Sequence, residues 1–137
     1  MRRAITIHGL ADARTALMAA HGLCVPVTLI SGPGGGSYAG PAWFNAVVRE
    51  ASSAFPDVRV IAILDCDDAA GHALGAFRAG TKAVRFTGRE DVAAKLRDIA
   101  AQIGAELIAE DVETLDLRRE RDPIQACTAW LRAHVEA

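Results

Sequence analysis

Short β-rich runs alternate with longer amphipathic runs five times along this chain of 137 residues. The β-rich runs cover residues 4–8, 25–30, 58–64, 82–86 and 105–109. The runs between them place apolar residues at helical spacing, as Val92, Leu96 and Ile99 show. Strands that alternate with helices over short connections predict a parallel sheet with right-handed crossovers. This alternation limits the fold more strongly than any other feature of the sequence.

The alternation predicts an α/β fold of flavodoxin or receiver type, a three-layer sandwich around a five-stranded parallel sheet. The run at 58–64 is nearly all apolar apart from Arg59, as expected of a parallel strand covered on both faces. Five units are too few for a closed eight-stranded barrel. Half of a (β/α) barrel, closed by dimerisation, is the alternative. The length predicts a single domain over residues 1–137.

Capping residues predict where several helices begin and end. The first helix is expected to begin near Asp12 and to end at Gly22. The sequence "TGRE", with Thr87 and Glu90 three residues apart, predicts a capping box. Residues 110–121 are expected to form a charged connection, after which Asp122 caps the last helix.

Charge and cysteine content narrow the classes of partner and the compartment. The 15 basic and 17 acidic side chains give a net charge of −2, which does not indicate binding to nucleic acid. The longest apolar stretch, 22–30, is far shorter than the ~20 residues that a membrane span needs. Three widely spaced cysteines form neither a disulfide framework nor a metal-finger pattern, so a reducing, cytoplasmic location is expected.

The apolar content is high for a small chain. Apolar residues make up 51% of it, and the mean hydropathy is +0.18. Part of that content is expected to cover a subunit interface, which predicts a homo-oligomer, most simply a dimer.

Ligands of parallel α/β sheets bind beyond the carboxyl ends of the strands. That rule selects residues at the ends of the predicted strands as candidates for a site. These candidates are His8, Ser31, Asp65, Thr87 and the acidic pair 110–111.

A glycine-rich loop follows the second strand and precedes a helix. Its candidate ligand-binding residues are Ser31, Gly34, Gly35, Gly36 and Ser37. Backbone N–H groups of such a loop, next to a helix N-terminus, favour an anion. The loop has neither the lysine of a P-loop nor the spacing of a dinucleotide fingerprint. Two interpretations therefore stay open: a loop or lid without a ligand, and a site for a small anion.

The sequence "LDCDD" places three carboxylates at the end of the third strand. If a divalent cation binds here, Asp65 and Asp67 are its expected ligands. Mutual repulsion is expected to raise the pKa of one carboxyl, which suits Asp65 to act as a general base. Capping of the third helix by Asp67 or Asp68 is the alternative. The same negative charge predicts an unreactive Cys66 thiol.

The layout resembles that of response-regulator receiver domains. Asp65 matches the position of the phosphate-accepting aspartate of that family, and Thr87 matches its hydroxyl after strand four. The sequence "ALGAFRAGTKAVRF" is similar to the helix-to-strand junctions of these domains and to those of (β/α) barrels. The chain departs from the family at His8, where paired acids would hold magnesium, and at Glu110, near which a lysine would stand. The resemblance implies a receiver-like module that lacks most phosphorylation-site residues.

These observations leave two functional hypotheses. The first is a non-catalytic regulatory module that binds a ligand or a protein partner. The second is an enzyme for a small anionic substrate, in which the glycine-rich loop holds the anion, Asp65 is the base, and His8 or Thr87 orients the substrate. No cofactor is indicated by either hypothesis. The second hypothesis requires a concave pocket that joins the loop to Asp65.

Overall fold

The computed structural model describes residues 2–35 and 39–136, which alternate strands and helices as predicted. The strands are β1 (Arg2–Ile7), β2 (Val27–Ser31), β3 (Val60–Asp65), β4 (Ala83–Arg85), β5 (Glu106–Ile108) and β6 (Val112–Asp116). The helices are α1 (Leu10–Leu23), α2 (Pro41–Ala54), α3 (Ala70–Arg78), α4 (Glu90–Gln102) and α5 (Pro123–Glu136), with a 3₁₀ turn at Leu117–Arg119. The prediction of an α/β fold is confirmed.

The strands form one parallel sheet in the order β5-β4-β3-β2-β1-β6. Within the described residues the sheet has six strands, so the prediction of five was wrong. The sixth, β6, lies in the segment 110–121 that was expected to be a charged connection, and it pairs with β1 from Arg2↔Val112 to Thr6↔Asp116. As an edge strand it pairs on one side and is incompletely buried, so it can form with few apolar residues.

The helices pack against one face of this sheet. The main hydrophobic cluster combines buried residues from all five helices with strand residues such as Ile5, Leu29 and Leu64. A second cluster lies on the opposite face, and its members are all strand residues: Ala4, Ile30, Ile63, Ala83 and Ile108. The sheet and helices therefore form a half-barrel arrangement, which the sequence predicted as the alternative to a three-layer sandwich.

The sheet is strongly curled because β5 and β6 stand at opposite edges yet are joined by three residues. Five strand spacings in a flat sheet amount to about 24 Å. The four Cα steps from Ile108 to Val112 reach about 14 Å at most. Consistent with curling, Arg2 on β1 contacts β5, since its Nη2 lies 2.8 Å from Glu106 Oε2, and its Nε lies 3.5 Å from Glu110 Oε1.

The start of α1 differs from the prediction in a way that bears on the site. The helix begins at Leu10, with Gly9 as its N-cap, and not near Asp12. The Asp12 carboxylate instead accepts a hydrogen bond from the backbone N–H of His8, at 2.9 Å. The carboxylate therefore satisfies a donor just ahead of the helix and fixes the chain where β1 ends.

Other predicted helix ends have mixed outcomes. The left-handed residue after α1 is Cys24, with φ 56°, and not Gly22. The capping box was wrong, because α4 has Arg89 as its N-cap and has no side-chain capping hydrogen bond. The cap by Asp122 is confirmed, since its Oδ1 accepts from Gln125 N at 3.2 Å. None of the helices described here is long and apolar enough to cross a bilayer.

Substitution of Ile63 tests the curled sheet. Ile63 and Ile61 lie on the same face of β3, but Ile63 is fully buried whereas Ile61 is 38% exposed. We expect Ile63→Ala to lower the free energy of unfolding by about 2–5 kcal/mol, because it leaves a cavity in the inner cluster. We expect Ile61→Ala to cost about 1 kcal/mol or less. Urea unfolding of both variants measures the difference, and equal small losses would indicate an open inner face.

Candidate functional site at the carboxyl ends of the strands

The carboxyl ends of four strands bring charged residues together on the inner face. Asp65 on β3 is directly paired with Arg85 on β4, and Thr6 on β1 is directly paired with Asp116 on β6. Because the side chains of a strand alternate between faces, each pair stands on the same side of the sheet as the inner cluster. The fold thus places a cation, two carboxylates and a hydroxyl at one rim.

Two adjoining cavities open at this rim. The first, here called the Arg85 cavity, has a volume of about 210 Å³ and is lined in part by Thr6, Asp65 and Arg85. The second, the His8 cavity, has a volume of about 300 Å³, and its lining includes His8 and Trp43. Ser31 and Pro33 line both cavities. The start of the glycine-rich loop is therefore joined to Asp65 by a concave surface.

Ser31 connects the two central strands at this point. Its Oγ accepts a hydrogen bond from Asp65 N at 2.9 Å, and the residue is 4% exposed. No described residue accepts a hydrogen bond from its hydroxyl. Its hydrogen is therefore available to an acceptor in the cavities.

Asp65 is held by hydrogen bonds to both of its carboxylate oxygens. Oδ1 accepts from Asp67 N at 3.0 Å, and Oδ2 lies 3.4 Å from Arg85 Nη1. Burial raises the pKa of Asp65 above 3.8, with a further contribution from the Asp67 charge, and these effects outweigh the bonds from Asp67 N and Arg85. The raised pKa of Asp65 agrees with the prediction, but its main cause is burial and not repulsion among acids.

Arg85 has few close partners for a partly buried cation, whose side chain is 19% exposed. Its contacts with Asp65, at 3.4 Å, and Asp111, at 3.6 Å, are long compared with the about 2.7–2.9 Å of a good charge-assisted bond. Its Nε is buried and has no hydrogen-bond partner among residues 2–35 and 39–136. Buried donors are nearly always bonded in folded proteins, so this nitrogen is an exception among the described residues.

His8 and Asp116 form a tightly bonded pair. His8 Nε2 lies 2.9 Å from Asp116 Oδ1, which also accepts from Arg118 N at 2.9 Å. Burial alone would raise the pKa of Asp116, but the bonds from Arg118 N–H and His8 together hold that pKa below 3.8. An ionised carboxylate only accepts, so Nε2 is the donor, and in the neutral ring Nδ1 keeps its lone pair.

Two glycines of the loop lie close to side chains of the site, and only Gly35 leaves no room for a Cβ. A Cβ at Gly32 would stand 3.2 Å from Cε1 and 3.3 Å from Nδ1 of His8, so glycine keeps that side of the ring open. A Cβ at Gly35 would stand 2.7 Å from Ser31 Oγ. The Gly35 N–H already donates to Gly32 O at 2.9 Å. It is therefore not free to bind an anion.

The remaining predicted residues are placed as follows. Thr87 is exposed, donates its backbone N–H to Asp67 O at 2.7 Å and lines neither cavity. Gly34 adopts a left-handed φ of 71°. The predictions for Gly36 and Ser37 lie outside the described residues.

The carboxylates of "LDCDD" and its thiol have different surroundings. Across the described parts of the chain, no group of three or more acidic, histidine or cysteine side chains is arranged to hold a metal ion. Within the expected pair, the backbone N–H of Asp67 donates a hydrogen bond to Oδ1 of Asp65, at 3.0 Å. Burial, with the nearby charges of both aspartates, raises the pKa of Cys66 to about 12. The thiol is fully buried, so its predicted lack of reactivity is supported.

Sequence reasoning missed several residues of this rim. Arg85 was assigned to a strand without a role, although a charge between Val84 and Phe86 is a recognisable signal. Asp116 and Arg118 were missed because β6 was missed. Nothing in their local sequence distinguishes them from a solvated charged loop.

Comparison with known proteins gives no match: no protein-family model fits the chain, and no curated protein matches its sequence.

The pH dependence of stability tests the His8–Asp116 pair. Because its folded pKa is below 3.8, Asp116 contributes stability above that value and loses it as the pH falls through the folded pKa. We expect Asp116→Asn to be less stable than the wild type above pH 3.8, and the difference to shrink below it. Urea unfolding across this range measures it, with Asp57→Asn in the exposed His21–Asp57 pair as the control. A difference that does not change with pH would contradict the assignment.

Proposed function

We propose that this chain is a module that binds a small anionic molecule, such as one bearing a carboxylate or a phosphate, in the Arg85 cavity. The observation that carries this proposal is the Arg85 guanidinium, which lines a cavity of about 210 Å³ and has only long contacts with Asp65 and Asp111. An anion in the cavity supplies the closer partner that this cation lacks, and arginine pairs well with planar carboxylate and phosphate oxygens.

The other groups of the cavity also favour an acceptor ligand. Both oxygens of Asp65 and one oxygen of Asp116 already have partners within the protein. Thr6 and Ser31 also line the cavity, and no described residue accepts a hydrogen bond from either hydroxyl. Both hydroxyls can therefore donate to an anionic ligand beside Arg85.

This proposal joins parts of both hypotheses drawn from the sequence. From the first hypothesis it keeps a ligand-binding module with a regulatory role. It takes from the second hypothesis the small anionic ligand, but Arg85 replaces the backbone of the glycine-rich loop as its main anchor. A receiver-like use of Asp65 and a homodimer in solution remain proposals beside it, the latter supported by exposed apolar side chains such as Met18 and Ile103.

Titration with malonate and with inorganic phosphate tests the proposal. We expect saturable heats in calorimetry at low salt, and no heat from the neutral malonamide. Arg85→Gln should weaken binding roughly 10- to 100-fold, since a hydrogen bond to a charged group is worth about 1.5–3 kcal/mol. Arg85→Lys, which keeps the charge, should lose less.

The matched control is Arg89→Gln, because Arg89 is exposed and its carboxylate partner, Asp91, is on the surface. Its affinity for both anions should equal that of the wild type. Equal losses in the Arg85 and Arg89 variants would point to non-specific charge attraction, and the absence of binding in the wild type would overturn the proposal.

A further inference from the structure

We propose that His8 is the general base of a hydrolase that cleaves small esters carrying an anionic group. The inference rests on the proposed function, because the anionic group of the ester would sit in the Arg85 cavity. The reacting ester would then extend past Ser31 and Pro33 into the His8 cavity, which shares both residues.

The geometry of His8 supports this role in three ways. Asp116 bonds Nε2 at 2.9 Å, which fixes the ring and leaves Nδ1 as the proton acceptor. The bond from His8 N to Asp12 Oδ2 fixes the backbone that carries the ring. The missing side chain at Gly32 leaves space beside Nδ1, and both residues line the same cavity of about 300 Å³.

Asp65 is less suited to be the base, although the sequence favoured it. Its two oxygens are occupied by Asp67 N and Arg85, and its side chain is 7% exposed. In this proposal Asp65 therefore positions Arg85 and is not the base. His8 presents an unoccupied lone pair to the cavity, and its side chain is 20% exposed.

Hydrolysis needs no reactant besides the ester and water. His8 Nδ1 takes a proton from water as the water oxygen bonds to the carbonyl carbon. The bond from that carbon to the alcohol oxygen then breaks, and the alcohol oxygen takes the proton back from His8. The products are an acid and an alcohol. Arg118, which lines the same cavity, supplies positive charge near the oxygen that becomes negative.

The experiment compares two chromogenic esters, the mono-4-nitrophenyl ester of glutaric acid and the uncharged 4-nitrophenyl butyrate. We expect the wild type to hydrolyse the anionic ester with a kcat/KM at least ~10-fold higher than the neutral one. His8→Gln should lower kcat about 100-fold or more, while its affinity for malonate stays within about twofold. Arg85→Gln should raise KM.

Two further sets of variants separate catalysis from structure. His21→Gln is the matched control, because His21 also bonds an aspartate, at 2.8 Å, and lines a different cavity. It should retain wild-type activity. Asp116→Asn should lower kcat, because it removes the acceptor that selects the tautomer, and Asp116→Glu should recover part of the loss.

The outcomes distinguish this inference from the proposed function. Wild-type kcat in His8→Gln, an equal loss in His21→Gln, or equal rates for the two esters would overturn the role of His8. Malonate binding without hydrolysis above the buffer rate would also overturn it and leave the anion site standing. Should His8→Gln not fold, Asp116→Asn and Asp116→Glu decide the same question through their kcat and KM. Absence of both binding and hydrolysis would overturn both proposals.

Discussion

The three-residue connection between β5 and β6 is the constraint from which the rest of the structure follows. These strands are the two edges of the sheet, so a connection of about 14 Å at most can join them only if the sheet curls. The ion pair between Arg2 and Glu106 joins β1 to β5 in the curled sheet. Curling buries an inner cluster of strand residues although the helices lie on the other face.

The same curl assembles the candidate site. With β6 beside β1, Asp116 stands next to the end of β1 and bonds His8. Arg85 on β4 reaches Asp65 on β3 and Asp111 between β5 and β6. The rim therefore has the Arg85 guanidinium and a histidine–aspartate pair on either side of Ser31 and Pro33.

The sequence predicted the class of fold, and most of five strands and five helices, because buried parallel strands and amphipathic helices have strong periodic patterns. It did not predict β6, since an edge strand with Glu113, Thr114 and Asp116 has the composition of a solvated loop. The half barrel was predicted only as an alternative because the direction of curling depends on strand order, which local patterns do not encode.

The candidate site was predicted only in part, because some of its residues meet through contacts between strands. His8, Ser31 and Asp65 follow from the rule that strand ends carry ligands, and the structure brings all three to the two cavities. Thr87 obeys the same rule but is exposed. The role of Arg85 and the partner of His8 depend on contacts between strands. One such contact joins residues 108 positions apart in the chain.

Carbodiimide cross-linking of the variant Arg2→Lys tests the curled sheet most directly, because this reagent joins only an amine and a carboxylate that are in contact. A flat sheet would separate β1 from β5 by four strand spacings, about 19 Å. We predict an amide link from position 2 to Glu106 or Glu110, identified by mass spectrometry of the digest and lost when both glutamates are changed to glutamine. If position 2 forms a link to neither glutamate, the result would contradict the curled sheet. It would also contradict the convergence of His8, Asp116 and Arg85 at one rim.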